Sequence, residues 1–394
     1  MKLLIIHNDY LVPGGERFAV QAEVDLLRSK GHELIFYSRS NEETLDYDLL
    51  SKILLFPRVA FSLDTYNDTR SLINNYQPDV AHIHNVFPLI SPSVYYALHH
   101  ERIPIVQTIH NFRFMCPNGL FFTAGSVCER CKFGNTLHAI QWKCYRNSYF
   151  LSGLYAALIG GHRLINTFRL IDIFIVLSHF SKNKLVDSGI ASTENIHVLG
   201  NYLRTPSDDQ HLSAIKQTYF VFMGRLSIEK GLKTLLDAMQ KLPQEKLYVL
   251  GEGPEKEDLL AYAAGLGLKN VEFLGFVTGE KKDSMLKNAS ALILPSSCYE
   301  NFPLSVLESY SVGTPVIASN LGSIPELVID GESGLLFTPG DSNELYEKMH
   351  QLLTNPSESL RLGNNAFHQM VNYYSPDIHY QKLLNIYEQC ITKS

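Results

Sequence analysis

The apolar positions of this chain fall into short runs separated by longer stretches of helical period. Lys2–His7, Glu33–Tyr37, Asp79–His84 and Ile103–Ile109 read as strands, with helices at Glu16–Lys30, ended by Gly31, and at Ile90–His100. After an irregular stretch the pattern resumes with a strand at Asp172–Leu177, a helix at Ser178–Ser188 and a strand at Asn195–Leu199. The polar segment Asn201–Gln217, with Pro206, Ser207, Asp208 and Asp209, has the composition of a linker. A second set of strands follows at Tyr219–Met223, Lys246–Leu250, Val271–Leu274, Ser290–Leu294 and Pro315–Ser319, and two helices fill Ser342–Tyr373. Short apolar strands alternating with helices predict an α/β protein built on parallel sheets. The expected division is an N-terminal domain over 1–200 with an insertion at about 111–148, a linker at 201–217, and a C-terminal domain over 218–374. A final amphipathic helix at 375–394 would pack back on the N-terminal domain.

Ligands of open parallel sheets bind at the carboxyl ends of the strands, so the residues there are the first candidates. After the strand Ala291–Leu294 comes Tyr299-Glu300-Asn301-Phe302-Pro303-Leu304-Ser305, then Glu308. Pro303 suits a first helical position, and the free N–H groups of Leu304 and Ser305 would face a field that favours phosphate. Glu300 and Glu308 would flank that position, although two glutamates eight apart also occur on an ordinary solvated helix. Gly224-Arg225-Leu226-Ser227-Ile228-Glu229-Lys230-Gly231 lies at another strand end, where two fixed cations can neutralise a diphosphate without a metal ion. In the first half, Gly14-Gly15 ends a strand where backbone can approach a ligand closely, or makes a plain tight turn. His110 ends another strand, with His84, Asn85 and Asn111 as weaker candidates for the same wall. Gly251-Glu252-Gly253-Pro254 lacks the third glycine of a dinucleotide loop and reads as a turn.

At 394 residues the chain is long enough for two or three domains, and a net charge of −6 argues against a general nucleic-acid binder. Met1-Lys2 leads straight into a strand and no apolar run is long enough to span a bilayer, so the expectation is a cytosolic protein. Cys116, Cys128, Cys131 and Cys144 cluster in the irregular stretch around a C-x2-C knuckle. Four thiolates suit a structural Zn²⁺; an iron–sulfur cluster and four free buried thiols are the other readings. Tyr149–Arg169 combines apolar residues with His162, Arg163 and Arg169, after Lys143 and Arg146. It reads either as a helix on an anionic membrane surface, at the inner face of the cell membrane, or as a core helix with a basic edge.

The run G-R-L-S-x-E-K-G, then L-G-E-G-P, G-F-V, P-S-S-x-x-E-N-F-P-L-S-V-L-E-S, G-T-P-V-I-A-S and G-S-I-P-E-L-V-x-D-G-x-S-G resembles the C-terminal half of the family 4 retaining glycosyltransferases. The resemblance covers nearly all of 217–340; in the N-terminal half it rests on Gly14-Gly15-Glu16 and Thr108-Ile109-His110. It implies the GT-B architecture, two Rossmann-like parallel-sheet domains facing a central cleft. It also implies transfer of a sugar from a nucleotide-sugar donor, a uridine ahead of a guanosine diphosphate sugar, with no catalytic metal. By the same resemblance Arg225 and Lys230 hold the diphosphate, Glu300 the sugar hydroxyls and Glu308 the ribose. Phe276 and Val277 lie where the base is bound, His110 faces the sugar, and Gly14, Gly15 and Gly224 line the donor, with Asn301 and Phe302 in the contacting loop. Many members have glycine where this chain has Pro303, so phosphate contact would fall to Leu304 and Ser305. The implied acceptor is a saccharide, lipid-linked if the basic, apolar Tyr149–Arg169 segment meets a membrane. A nucleotide-sugar epimerase, a phosphorylase or a non-catalytic nucleotide-sugar binder on the same scaffold are the alternatives.

Overall fold

The computed structural model describes residues 1–11, 14–46, 48, 57–204 and 216–393. Most of the expected linker, including Pro206, Ser207, Asp208 and Asp209, lies outside them. The chain divides into two compact units, one of residues 1–121, 128–201 and 379–394, the other of 122–127 and 202–378.

In the first unit, strands β1 (Lys2–Asp9), β2 (Glu33–Ser40), β3 (Val80–Asn85) and β4 (Ile105–Ile109) belong to one sheet. The intervening hairpin of β5 (Phe122–Thr123) and β6 (Ser126–Val127) is a separate two-stranded sheet counted with the second unit, whereas β7 (Ile173–Val176) and β8 (Ile196–Val198) complete the first sheet. The order is β2-β1-β3-β4-β7-β8, all pairs parallel. Leu3, Leu4, Ile5 and Ile6 are all buried, as a strand covered on both faces requires. The helix Gly15–Ser29 packs Val20, Val24 and Leu27 on one side of the core. The closing helix Pro376–Lys393 adds Leu383, Ile386, Tyr387 and Cys390 to the same cluster.

The second unit repeats the plan. Strands β9 (Tyr219–Met223), β10 (Lys246–Leu250), β11 (Val271–Gly275), β12 (Ala291–Leu294), β13 (Val316–Ser319) and β14 (Gly334–Phe337) form a parallel sheet in the order β11-β10-β9-β12-β13-β14. Phe220, Phe222, Leu235, Leu236, Val249, Ile293 and Ile317 make its core.

Among the elements that escape the pattern of the sequence, two have a clear physical reason. The helix Leu63–Tyr76 buries Thr65, Thr69 and Ile73, so its inward stripe is mostly hydroxyl-bearing and carries little apolar period. Strand β14 follows a turn at its first residue, Gly334, whose Cβ would stand 2.2 Å from the Val316 carbonyl oxygen; only glycine lets it pair there.

The cysteine stretch is ordered differently from the zinc-site expectation. Among the described residues, no three of the sulfurs of Cys116, Cys128, Cys131 and Cys144 lie within 4.8 Å of one another, as ligands of one ion would. Cys116 donates its thiol to Asn118 Oδ1 at 3.0 Å, and Cys131 packs with Ala139, Ile140, Cys144 and Ala156. Burial, with the neighbouring thiols adding to it, pushes Cys131 up to about 12. A structural zinc therefore finds no support in this geometry, and protein contacts hold the stretch. Thr136 Oγ1 donates to the Ala156 carbonyl at 2.8 Å, and the Arg163 guanidinium donates to the carbonyls of Lys132 and Ser188 at 2.8 and 2.7 Å.

Tyr149–Leu164 is one helix, started by Ser148, whose hydroxyl accepts from Leu151 N–H. Its middle is a core helix burying Tyr155, Ala156, Leu158 and Ile159. His162 and Arg163 are tied inward rather than presented to a surface. Among the described residues no helix is long and apolar enough to cross a membrane.

Candidate active site

The second unit builds a polar site at the carboxyl ends of β9 and β12. After β9 the chain passes through Gly224 and Arg225 into a single 3-10 turn, Ile228–Lys230, and Gly231 takes φ +68°. A Cβ at Gly231 would stand 1.9 Å from the Pro295 carbonyl oxygen, so glycine is what lets this loop lie against the loop after β12. That approach delivers Lys230 Nζ to Glu300 Oε1 at 2.7 Å. Ser296 Oγ donates to the same carboxylate oxygen at 2.6 Å, and Ser323 Oγ donates to the Glu300 main-chain carbonyl at 2.6 Å. Burial alone would raise the Glu300 carboxyl, but the Lys230 charge and the hydrogen bonds from Lys230 and Ser296 outweigh it and hold the group below its ordinary range.

Arg225 is exposed, with no ion pair among the described residues. Gly251 and Gly253 serve the same framework: a Cβ at either would collide with the main chain of Gly224 or Leu226, at 1.9 and 2.2 Å. The G-x-G here is a packing turn, which supports the Gly224–Leu226 strand end.

The helix following β12 runs Leu304–Ser311, with Pro303 as its N-cap in extended conformation rather than its first residue. The position differs by one from the expectation because φ at proline suits either place, and ψ of 110° takes Pro303 out of the helix. Val306 N–H bonds the Pro303 carbonyl, whereas the N–H groups of Leu304 and Ser305 find no protein acceptor among the described residues. Asn301 and Phe302 are buried, the latter edge-on to Tyr374 at 5.6 Å between ring centres. Glu308 Oε1 meets Lys282 Nζ at 2.7 Å. Phe276, just past β11, is 73 % exposed, and Val277 is half-buried.

The remaining candidates belong to the first unit. Gly14 caps the helix Gly15–Ser29, and a Cβ there would meet open space, so no protein contact demands glycine. His110 follows β4, half-buried, with Nε2 3.1 Å from His84 Nδ1; burial foremost holds its ring down to about 3. Asn85 is used by the fold, donating to the carbonyls of Asn8 and Phe87 and accepting from Phe87 N–H. Asn111 Nδ2 donates to Tyr10 Oη at 3.2 Å and to Glu16 Oε2 at 3.4 Å.

Several residues around these candidates carry no signal in the sequence. Ser296 sits in an ordinary strand-end P-S-S, and Lys282 in a charged helical run. Glu16, pushed up to about 8 chiefly by burial, was visible only as a neighbour of Gly14-Gly15.

Comparison with known proteins supplies the family. The sequence family described as "Glycosyl transferases group 1" matches residues 204–369, and "Glycosyltransferase Family 4" matches residues 13–205. The chain belongs to the group 1, family 4-like glycosyltransferases. Among curated members, the D-rhamnosyltransferase WbpZ of Pseudomonas aeruginosa is 37 % identical over 150 residues, 38 % of this chain and 39 % of that protein. The 2-deoxystreptamine N-acetyl-D-glucosaminyltransferase of Niallia circulans is 28 % identical over 220 residues, 52 % of this chain and 56 % of that protein. The match thus spans between about two-fifths and just over half of these relatives. Sucrose-phosphate synthase of Thermosynechococcus elongatus superposes over 100 % of both chains with a TM-score of 0.73 at 18 % identity. HepE of Anabaena, solved with UDP and glucose, does so over 99 % of this chain and 100 % of that one, with a TM-score of 0.69 at 18 % identity. At that identity these structures establish the shared GT-B fold, two six-stranded parallel sheets with their helices.

Proposed function

We propose that this glycosyltransferase-family chain moves a sugar from a nucleoside diphosphate donor to a saccharide acceptor, with retention at the anomeric carbon, in surface polysaccharide or glycoconjugate assembly. One observation carries the reading: Lys230 is locked to Glu300 at 2.7 Å beside an unpaired Arg225 and a helix start with two free N–H groups. Breaking the sugar–phosphate bond places negative charge on the departing diphosphate, and preorganised cations with main-chain N–H groups stabilise charge where it develops. In this scheme Arg225 and Lys230 receive the diphosphate, with the N–H groups of Leu304 and Ser305 on its other side. Glu300, fixed by Lys230 and Ser296, takes sugar hydroxyls through its remaining lone pairs. Glu308 exchanges Lys282 for the ribose hydroxyls, and Phe276 and Val277 border the base. His110, Gly14 and Gly15 are assigned to the sugar and acceptor. Retention then follows same-face attack assisted by the leaving phosphate.

A uridine diphosphate sugar is the first donor to test, a choice supported by the UDP bound to HepE. A lipid-linked acceptor is supported by the exposed aromatic residues Phe133, Trp142, Tyr149 and Phe150 of the first unit. Arg130 lies 4.6 Å over the Trp142 ring and Lys143 4.5 Å over Tyr149, the mixture of aromatic rings and cations that suits an anionic lipid interface. The test is a thermal-shift screen of uridine and guanosine diphosphates and their sugars in EDTA, followed by transfer assays on lipid-linked saccharides. Stabilisation by a donor and glycosylated product are expected. Conversion of the donor with no acceptor present would replace this reading with epimerisation, and binding without turnover on any acceptor would leave a binding protein.

A further inference from the structure

The first unit holds a buried chain of imidazoles beneath His110. Successive odd or even residues of a strand share a face, so β3 turns His82 and His84 to one side, and neighbouring β4 turns Thr108 in the same direction, just before His110. Glu23, buried on the helix Gly15–Ser29, reaches into this row. Its Oε1 lies 3.1 Å from His82 Nδ1 and 3.4 Å from His84 Nε2, and its Oε2 lies 3.2 Å from His379 Nε2. Both nitrogens of His82 are taken, Nδ1 by the Tyr387 hydroxyl and Nε2 by the Thr108 hydroxyl, each at 2.7 Å. His84 Nδ1 faces His110 Nε2 at 3.1 Å, and the two rings meet edge to edge, 28° apart in plane with centres 5.3 Å apart.

The hydrogens along this row follow from elementary rules. Burial foremost lowers His84 well below its ordinary value and His110 to about 3, so both rings are neutral near pH 7 and each carries one N–H. A carboxylate 3.4 Å from His84 Nε2 repels a lone pair there and attracts a hydrogen, although the approach is too bent for a good hydrogen bond. With its hydrogen at Nε2, His84 presents a lone pair at Nδ1. Two imidazole nitrogens 3.1 Å apart share one hydrogen, so His110 carries its own at Nε2. Its Nδ1 then bears a lone pair, and among the described residues no protein group engages it. A recess at these strand ends is lined by His84, Asn85, Phe87, His110, Asn111 and Arg113.

We propose that Glu23 and His84 are positioning residues: they fix the tautomer and ring plane of His110 so that its Nδ1 accepts a hydrogen bond from a ligand hydroxyl. The inference rests on the reading of His110 as the residue that faces the sugar. It adds two residues to that reading, of which Glu23 is 87 positions away in sequence. It also gives the closing helix a part in the site, since His379 and Tyr387 hold Glu23 and His82 from below.

The test uses the whole chain with the donor and acceptor that the screen described above selects. His84→Leu and Glu23→Gln should each lower kcat about 10- to 100-fold, through loss of orientation, while donor KM stays within about twofold. His84→Asn places an amide oxygen where Nδ1 stood and should retain kcat within a few-fold of wild type. Long-range ¹H–¹⁵N spectra of histidine-labelled protein should show His84 and His110 as Nε2–H tautomers in the wild type, a readout that does not depend on any variant folding. His110 in the Nδ1–H form overturns the proposal, as does His84→Asn falling as low as His84→Leu. Wild-type kcat in Glu23→Gln and His84→Leu beside a crippled His110→Ala overturns it while sparing His110. Wild-type kcat in His110→Ala removes both. Glu23, His82 and His84 also have spacing compatible with a metal ion, and a stoichiometric metal lost in Glu23→Gln would overturn the tautomer chain in favour of a metal site.

Discussion

Arg225 and Lys230 are five residues apart on one loop, and the structure predicts that removing them has different consequences. Arg225 is exposed and has no ion pair among the described residues, so Arg225→Ala should leave stability within about 0.5 kcal/mol of wild type. Lys230 holds Glu300 across 2.7 Å with side-chain exposures of 24 and 11 %. Lys230→Met strands a nearly buried carboxylate. Full burial would cost about 3 to 5 kcal/mol, and the remaining exposure brings the expected loss to roughly 2 to 4. In catalysis the two should behave alike. On the proposed reading each supplies a cation to the diphosphate in the transition state, a contribution of about 2 to 4 kcal/mol, which corresponds to roughly 30- to 1,000-fold in kcat/KM. The assay pairs steady-state transfer kinetics with urea unfolding on the same preparations. Near-normal kinetics in Arg225→Ala would refute its placement on the phosphate. A stability loss in Arg225→Ala equal to that of Lys230→Met would refute the distinction between a free and a buried cation.

Three further outcomes follow from the same geometry. Glu300 has its carboxyl held below the ordinary value of 4.5, so its stabilising contribution is present above that pH and is lost as pH falls through the depressed value. Melting temperature against pH should therefore fall on the acid side for wild type and fall less steeply for Glu300→Gln. Gly231→Ala must adopt φ +68° and place a Cβ 1.9 Å from the Pro295 oxygen, so calorimetry should show a loss of more than about 1 kcal/mol together with weaker donor binding. Glu308→Ala breaks only a partly exposed pair with Lys282, so its stability should change by less than about 1 kcal/mol. On the proposal that it meets the ribose, its donor KM should rise about tenfold, which titration with a nucleoside diphosphate can read directly.

What the sequence revealed and what it hid have physical causes. The sheets were legible because parallel strands covered on both faces must be continuous apolar runs, as at Leu3–Ile6 and Ala291–Leu294. Arg225, Lys230 and Glu300 stood out as candidates because Gly224 and Gly231 frame the first two and a strand end precedes each loop. The pairing of Lys230 with Glu300 was not legible, since it depends on Gly231 passing the Pro295 carbonyl, a contact 64 residues long in sequence. The C-x2-C spacing suggested a metal cage, but ligand spacing along the chain does not fix how closely sulfurs converge. Here Cys131 packs with Ala139, Ile140, Cys144 and Ala156, and among the described residues no three of the four sulfurs lie within 4.8 Å of one another. Of the two readings of Tyr149–Arg169, the core helix holds for the middle, where Tyr155, Ala156, Leu158 and Ile159 are buried, while Tyr149, Phe150, Leu164 and Ile165 are exposed; apolar period alone does not separate a core stripe from a lipid-facing one. The Glu23–His84–His110 row is invisible to any local pattern: three separate elements contribute, and each residue alone looks like ordinary buried polarity.

Retaining transfer from a nucleotide sugar, as proposed, leaves its mark in the anomeric configuration of the first product. Proton NMR of a reaction started with an α-linked uridine diphosphate sugar, or the guanosine counterpart if the binding screen selects it, reports the configuration of the new glycosidic bond from the coupling of its anomeric proton. The expected result is an α-configured product that forms in the presence of EDTA and forms roughly 30- to 1,000-fold more slowly with Arg225→Ala. A β-configured product would contradict it.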